Sequence, residues 1–351
     1  MQNDRLTPAP ATASHADWID TTSRGAEGLV SIVMPTYRGE RFIGDTLATI
    51  ANQRYTPWQL HVVEDGPGGT TESIVADFGR AFPAGQVTYT RNDRNRGAAY
   101  SRNVGFRQTR GEFVALLDCD DRWQADHLAK SVEALRDESV DVAYSSVLMF
   151  EDETELLLDV WGPRPADIAD FPYSLFHRNF VTPSATVLRR HVLADVGPWD
   201  GQFKYCEDLD FWLRCCTAGV RFQHIGGCHC LYRKNHAGAT TSRDCGTREE
   251  LARILAQHLP AFENGSRDCR HRTSKAFVRA AIAHAEADAA RDASADASRA
   301  RELWLTAWKL NPRRVNYLAK AAFARRPAPR HMQSANAEHS PTTMTTRKAA
   351  A

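Results

Sequence analysis

From residue 29 onward the apolar positions alternate between two periods. Compact, largely β-branched runs, Leu29-Val-Ser-Ile-Val-Met34, Leu60-His-Val-Val63, Val87-Thr-Tyr-Thr90 and Phe113-Val-Ala-Leu-Leu117, are each bounded by Pro, Gly or charged residues. Runs of this length predict strands, those richest in apolar residues being buried on both faces. Between them apolar residues recur at helical spacing. Phe42, Ile43, Leu47 and Ile50 form one stripe, broken at Pro57. A second helix is expected from Thr70 or Thr71 to about Phe82, and a third from Ala98 to Thr109 with Gly111 after it. Strand alternating with helix predicts a parallel, doubly wound sheet joined by right-handed crossovers.

The pattern continues with a helix from Asp126 to about Arg136, a strand near Val140 to Met149, and an acid-rich turn at Glu151 to Glu155. Around residue 160 it changes character. Trp161-Gly-Pro-Arg-Pro165 breaks the period, and Phe176 to Leu188 mixes aromatic, Pro and β-branched residues, as expected of a lid or acceptor-facing segment. A short helix from His191 should stop at Gly197, and an amphipathic helix should start at Glu207. Val220–His224 and Cys230–Arg233 read as two short strands. Arg248 to about Ala324 is Ala-, Arg- and Glu-rich with helical spacing, interrupted at Asn311-Pro312. The expected division is a disordered leader at 1–27, an α/β domain in halves 28–125 and 126–245, a helical appendage at 246–325, and a disordered tail at 326–351.

Composition narrows this picture only a little. Hydrophobic residues make up 42% and charged residues 25% of the 351, the profile of a folded soluble chain. Lys plus Arg number 44 against 43 Asp plus Glu, so the net charge of +1 gives no reason to expect a nucleic-acid partner. No apolar run approaches the roughly 20 residues of a membrane span, and no signal-peptide pattern opens the chain. The cytoplasm is therefore the expected compartment, with peripheral contact at the inner face of the membrane compatible. The eight cysteines lack paired two-residue spacings and read as buried thiols rather than zinc ligands.

Candidate chemistry gathers where strands end. Phe113–Leu117 runs directly into Asp118, Asp120 and Asp121, and Leu60–Val63 into Glu64 and Asp65. Both acid groups would lie at carboxyl ends of strands in one crevice, where open α/β sheets bind ligands. Clustered carboxylates are costly without a cation, and hard oxygen ligands suit magnesium or manganese carrying a phosphate ester. A plain acidic turn is the alternative reading. Arg94, Arg96 and Arg102 put positive charge beside this rim, as phosphate partners or as a solvated loop. Glu207 and Asp208 open an amphipathic helix, where they either complement its dipole or, against the aromatic wall of Phe211 and Trp212, serve as a general base.

Taken together, Val30-Ser-Ile-Val-Met-Pro-Thr-Tyr37, Gln53, Val62-Val-Glu-Asp-Gly66, Asn95-Arg-Gly97 with Ser101-Arg-Asn103, Asp118-Cys-Asp-Asp121, Glu207-Asp208 and Tyr232-Arg-Lys-Asn-His236 resemble the family 2 glycosyltransferases. The motifs occur in the right order across about residues 29 to 242. The resemblance implies a GT-A fold: a Rossmann-like mixed sheet with helices on both faces, here followed by a small C-terminal helical region. It implies an inverting, metal-dependent transfer of one sugar from a nucleoside-diphosphate donor, of the UDP or dTDP type, to a hydroxyl of a glycan, lipid-linked or small-molecule acceptor. Asp65 with Pro35, Thr36, Tyr37 and Arg96 would form the nucleotide pocket, and Asp118 would meet the ribose. Asp120 and His236 would serve the Mn2+ or Mg2+ ion, Asp208 would be the base, and Glu207 would position it.

Three departures from the family pattern stand out: Glu64 where Asp is usual, Arg38 where Asn is commoner, and Gly66-Pro-Gly-Gly69 in place of a Gly-Ser turn. The Gln-x-x-Arg-Trp signature of processive synthases is missing, which favours single transfer. A catalytically silent nucleotide-sugar-binding module acting through its helical tail is the alternative. A nucleotidyltransferase would need a triphosphate-cradling loop that Thr36-Tyr-Arg-Gly39 does not supply.

Overall fold

A computed structural model describes residues 25–234, 245–264, 279, 282–283, 286–288, 297–312 and 315–323. The strands are β1 (Ala26–Thr36), β2 (Trp58–Glu64), β3 (Val87–Arg91), β4 (Gly111–Leu116), β5 (Arg122–Trp123), β6 (Val142–Glu151), β7 (Leu157–Trp161), β8 (Thr186–Arg189) and β9 (Phe222–Lys234). The helices are α1 (Ile43–Ala51), α2 (Thr71–Gly79), α3 (Ala98–Gln108), α4 (His127–Leu135), α5 (Pro165–Ala169), α6 (Arg190–Val196), α7 (Glu207–Thr217), α8 (Cys245–Asn264), α9 (Ala297–Leu310) and α10 (Val315–Phe323).

One sheet runs β3-β2-β1-β4-β8-β6-β9-β5, with β7 paired to β6. The first four strands are parallel, as expected from their crossover helices. β8 is antiparallel to both β4 and β6, which makes the sheet mixed. Strand order reverses between β1 and β4, so their carboxyl ends flank the sheet's topological switch point.

Period-two alternation sorts the core onto the sheet's two faces. Val33, Val114, Leu116, Val142, Tyr144 and Leu188 pack with α3, α6 and α7. Ile32, Met34, Phe113, Ala115, Ala143 and Val187 pack with α1 and α4. Ile254, Leu255 and Phe262 of α8 belong to the first of these cores, beside Leu209, Trp212 and Leu213 of α7. A boundary at residue 246 thus falls at the start of a helix that shares the core of the preceding domain. α9 and α10 supply small clusters of their own, around Trp304 and Tyr317.

Several elements differ from the sequence reading. The stretch expected as a lid carries β8, which pairs with both β4 and β6 because its β-branched and apolar Thr186-Val-Leu188 are buried in mid-sheet. β5 and β7 are strands that the sequence pattern did not mark. The two short strands expected within 220–233 are one, β9, because Gly226 and Gly227 take positive φ of 72° and 65° and let the chain bulge without leaving the sheet. Tyr144 and Ser146 are two residues apart while their partners His224 and Cys228 are four apart, so the bulge sits opposite them. β1 also begins earlier than Leu29, at Ala26. Cys206, Cys215, Cys216 and Cys230 are buried free thiols, and Cys119 and Cys228 are half-buried ones.

Candidate active site

The acid turn after β4 lies at the switch point and is held there from several sides. Asp118 N donates to Ser184 Oγ at 3.1 Å, while the Thr46 hydroxyl of α1 lies 2.7 and 2.8 Å from the carbonyls of Cys119 and Asp121. Arg233 of β9 locks the far side: its Nε donates to the Asp120 carbonyl at 2.9 Å and its N–H to Asp121 Oδ1 at 3.0 Å. Its guanidinium lies between the rings of Phe42 and Phe150 and pairs with Asp152 at 2.9 Å. At Gly39 a Cβ would meet Thr36 Oγ1 at 2.3 Å and Cys119 Sγ at 2.7 Å, so only glycine lets the loop after β1 close on this turn.

The three acids differ in kind. Asp121 is 1% exposed, and burial, reinforced by the charges of Asp120 and Asp118, raises its carboxyl well above the usual range. Asp118 is ion-paired to Arg102 at 2.8 Å, and Asp120 is half-buried.

Each member of Ser101-Arg-Asn103 on α3 has a defined partner. Ser101 Oγ accepts from Asn92, and Asn103 grips the backbone of Trp199, donating at 2.8 Å and accepting at 2.9 Å. Arg102 reaches both Asp118 Oδ1 at 2.8 Å and Glu207 Oε1 at 2.9 Å while lying over the Trp199 ring at 4.6 Å. Burial works against its charge, but the two carboxylates more than offset that and hold its pKa above the ordinary value. Arg102 is thereby tied up in ion pairs, and its side chain is not a spare cation for a phosphate. It joins the acid turn to the start of α7 across 105 residues of sequence.

Asp208 stands next to this bridge in the first turn of α7. Asn179 Nδ2 donates to its Oδ2 at 2.7 Å and Leu209 N to its Oδ1 at 2.8 Å. Burial pushes its carboxyl up to about 7, helped by the Glu207 charge and opposed by the Leu209 N–H, Arg102 and Asn179. Glu207 is also raised by burial, against the pull of Arg102. The stretch 179–184 touches both halves of the site, through Asn179 on Asp208 and Ser184 on Asp118.

Asp65 follows β2 at 4% exposure. Its Oδ1 accepts from Asn92 Nδ2 and Arg96 N, both at 2.8 Å, and its Oδ2 from Gly97 N at 2.7 Å. The Arg96 side chain turns instead to Asp93 at 2.9 Å and stacks over Tyr100. Pro35 and Thr36 are buried at the end of β1, where the Thr36 carbonyl accepts Asp65 N at 2.8 Å, whereas Tyr37 is 47% exposed. His236 lies outside the described residues.

Two of the sequence departures are physically coupled. Glu64 is 1% exposed and bonded by the Tyr89 hydroxyl, and a Cβ at residue 68 would fall 1.9 Å from its Oε1. The longer acid therefore requires glycine in the following turn. Arg38 adopts φ 53°, a left-handed conformation that Asn tolerates far better than Arg. Asn92, Asn179, Ser184 and Arg233 were not singled out from sequence. Only Arg233, inside the Tyr232–His236 motif, carried any signal.

A parallel α/β half with acids at its switch point is thus joined, through the antiparallel β8 and the Arg102 bridge, to a mixed half that presents a further buried acid, Glu207. The Glycosyl transferase family 2 model matches residues 31–197. The chain is 30% identical over 185 residues to the UDP-Glc:alpha-D-GlcNAc-diphosphoundecaprenol beta-1,3-glucosyltransferase WfgD of Escherichia coli, covering 53% of this chain and 68% of that protein. It is 31% identical over 137 residues to the putative teichuronic acid biosynthesis glycosyltransferase TuaG of Bacillus subtilis, covering 39% of this chain and only 54% of that relative's length. The chain belongs to glycosyltransferase family 2.

Solved structures share its fold. S. aureus TarS 1-349 in complex with UDP-GlcNAc superposes with a TM-score of 0.57 at 16% identity, covering 83% of this chain and 90% of that one. The mannosyltransferase PcManGT of Pyrobaculum calidifontis, in complex with GDP-Man and Mn2+, gives 0.54 at 22% identity over 87% and 88%. The expected GT-A fold is thus the observed one.

Proposed function

We propose that the protein moves one sugar from a nucleoside-diphosphate donor to an acceptor hydroxyl, with inversion at the anomeric carbon. The observation that carries this reading is the Arg102 bridge, which holds Asp118 of the acid turn and Glu207 of α7 in one site at 2.8 and 2.9 Å. Asp208, next in the chain to Glu207, is a half-buried carboxylate with raised proton affinity, which suits it to general-base work near neutral pH. Asp208 takes the acceptor's hydroxyl proton as its oxygen bonds to the anomeric carbon. The bond from that carbon to the β-phosphate oxygen breaks, and the nucleoside diphosphate departs with the electron pair. Attack from the face opposite the leaving group inverts the configuration.

Asp65 acts on the nucleotide base. Three of its roughly four lone-pair sites are filled by the 92–97 loop, which both fixes that loop and leaves one acceptor for the base. Pro35, Thr36, Tyr37 and the backbone at Arg96 complete the pocket, and Asp118 faces the ribose. Glu207, neutralised by Arg102, positions rather than reacts.

The donor set fits a divalent ion. Among the described residues no three His, Cys, Asp or Glu side chains form a ready-made cage. Magnesium and manganese characteristically take one or two carboxylates and complete their shell with substrate phosphates. Asp120 would hold such an ion, with His236 as the second candidate. When bound, it supplies positive charge to the departing diphosphate. One relative, WfgD, is named for a GlcNAc-diphosphoundecaprenol acceptor, and a lipid-linked hydroxyl acceptor is part of this proposal. Among the described residues no helix is long and apolar enough to cross a membrane. The proposed address is the cytoplasm, peripheral at the membrane's inner face.

Thermal unfolding with UDP-glucose, UDP-GlcNAc and GDP-mannose, with and without manganese, tests donor and ion together. One donor should raise the melting temperature, more so with manganese, because a ligand of the folded state stabilises it. Asp120→Ala should lose the manganese increment. Equal shifts in both proteins would remove Asp120 from the ion site.

A further inference from the structure

Helix α8, which follows the sheet in the chain, makes contacts that core packing alone does not require. Near its start, Glu250 turns its carboxylate to three consecutive backbone N–H groups of the loop leading into α7. Oε1 accepts Lys204 N at 2.8 Å, and Oε2 accepts Tyr205 N at 2.7 Å and Cys206 N at 3.3 Å. Cys206 is the N-cap residue of α7 and makes no side-chain capping bond. The carboxylate that fixes the start of α7 is therefore supplied by another helix.

Two turns further along the same face, His258 Nε2 lies 2.8 Å from Asp210 Oδ1. Arg214 holds the other Asp210 oxygen at 2.9 Å and donates to the carbonyls of Val196 and Pro198. Glu207 and Asp208 lie between these two grips, at 204–206 and at 210. Ile254 and Leu255, between Glu250 and His258, are 0% and 1% exposed, so the helix cannot shift along α7 without opening the core.

We propose that α8 is a working part of the active site, with Glu250 the positioning residue that sets the place of the Asp208 carboxylate for proton transfer. This rests on Asp208 being the base. An error of about 1 Å in such a group costs on the order of 10²-fold in rate. Glu250→Gln keeps the side-chain shape but replaces one acceptor oxygen with a donor, so at least one of the three loop N–H groups loses its partner.

The test uses the full chain, with manganese, and whichever of UDP-glucose, UDP-GlcNAc or GDP-mannose the wild type hydrolyses fastest. Glu250→Gln should lower kcat by about 10²-fold while the KM for donor and the Kd for the nucleoside diphosphate stay within about twofold. The pH midpoint of kcat should also fall, because a loosened loop admits water to Asp208, whose charged and titratable neighbours are Glu207, Arg102, Cys206 and Tyr232. Gln257→Ala, exposed on the same helix, should change neither quantity. Should Glu250→Gln fail to fold, His258→Gln tests the other grip by the same readouts. Unchanged kcat and pH midpoint in a folded variant would overturn the proposal. Activity surviving in Asp208→Asn would instead overturn the assignment of the base, so the two failures are separable.

Discussion

Replacing Asp208 by Asn removes one titrating group from a place where burial makes its charge expensive, and this has a consequence for stability as well as activity. The carboxyl is raised from 3.8 to about 7 in the folded protein. Between those values the native state binds a proton that the unfolded chain has released, so wild-type stability falls as pH rises through this window. About three pKa units at 1.36 kcal/mol each amount to about 4 kcal/mol, fully present as stabilisation below pH 4 and lost above about 7. Asp208→Asn carries no such term.

Its other cost, an NH2 group facing the donors Asn179 Nδ2 or Leu209 N, is about 1–3 kcal/mol and independent of pH. Urea unfolding of both proteins from pH 5 to 8.5 should therefore give curves that are not parallel. The variant gains on the wild type by up to about 1.4 kcal/mol per pH unit below 7, and the difference levels off above it. In parallel, kcat/KM of the wild type should fall as pH drops through about 7, because only the deprotonated carboxylate accepts the acceptor proton. Parallel stability curves would mean that Asp208 is ionised throughout, and the burial argument for its basicity would fail.

Other perturbations address the framework. Arg102→Ala leaves Asp118 and Glu207 without their shared cation and should cost about 3–5 kcal/mol in urea unfolding. Arg102→Lys, a point charge that cannot fork to both acids, should recover only part of it. Gly68→Ala should destabilise by about 1–3 kcal/mol through its clash with Glu64, and adding Glu64→Asp should restore part of that loss in a double-mutant cycle; additive effects would refute the coupling of these two positions. Arg38→Asn should gain about 1 kcal/mol by relieving the left-handed strain. If it also raises the donor KM, the strain is held for donor binding.

The parallel half of the sheet was legible because parallel strands buried on both faces must be apolar, and because Pro, Gly and acid clusters mark their ends. The four residues of β8, by contrast, were too short a run among Pro, Ser and Ala to carry a period. Even the placement of Asp65 and Asp118 along one edge of the sheet followed from their shared position after parallel strands. The continuity of β9 was hidden, since Gly226-Gly227 reads as an interruption unless the opposing residues Tyr144 and Ser146 are known. The partners that define the site were hidden for a different reason. Asn179 meets Asp208 across 29 residues, and Glu250 meets Tyr205 across 45. A single polar side chain in a loop or on a helix carries no periodicity that names such a partner. Arg102 shows the same limit in reverse: its charge was visible, but its commitment to two carboxylates was not.

Acceptor-dependent release of nucleoside diphosphate tests the central claim most directly. With a lipid-diphosphate-linked sugar, manganese and the donor that gives the largest thermal shift, the wild type should release nucleoside diphosphate in step with a product of inverted anomeric configuration. Asp208→Asn should bind the donor equally well and turn over at least about 10²-fold more slowly. Release at the wild-type rate from that variant, or a product of retained configuration, would contradict the account.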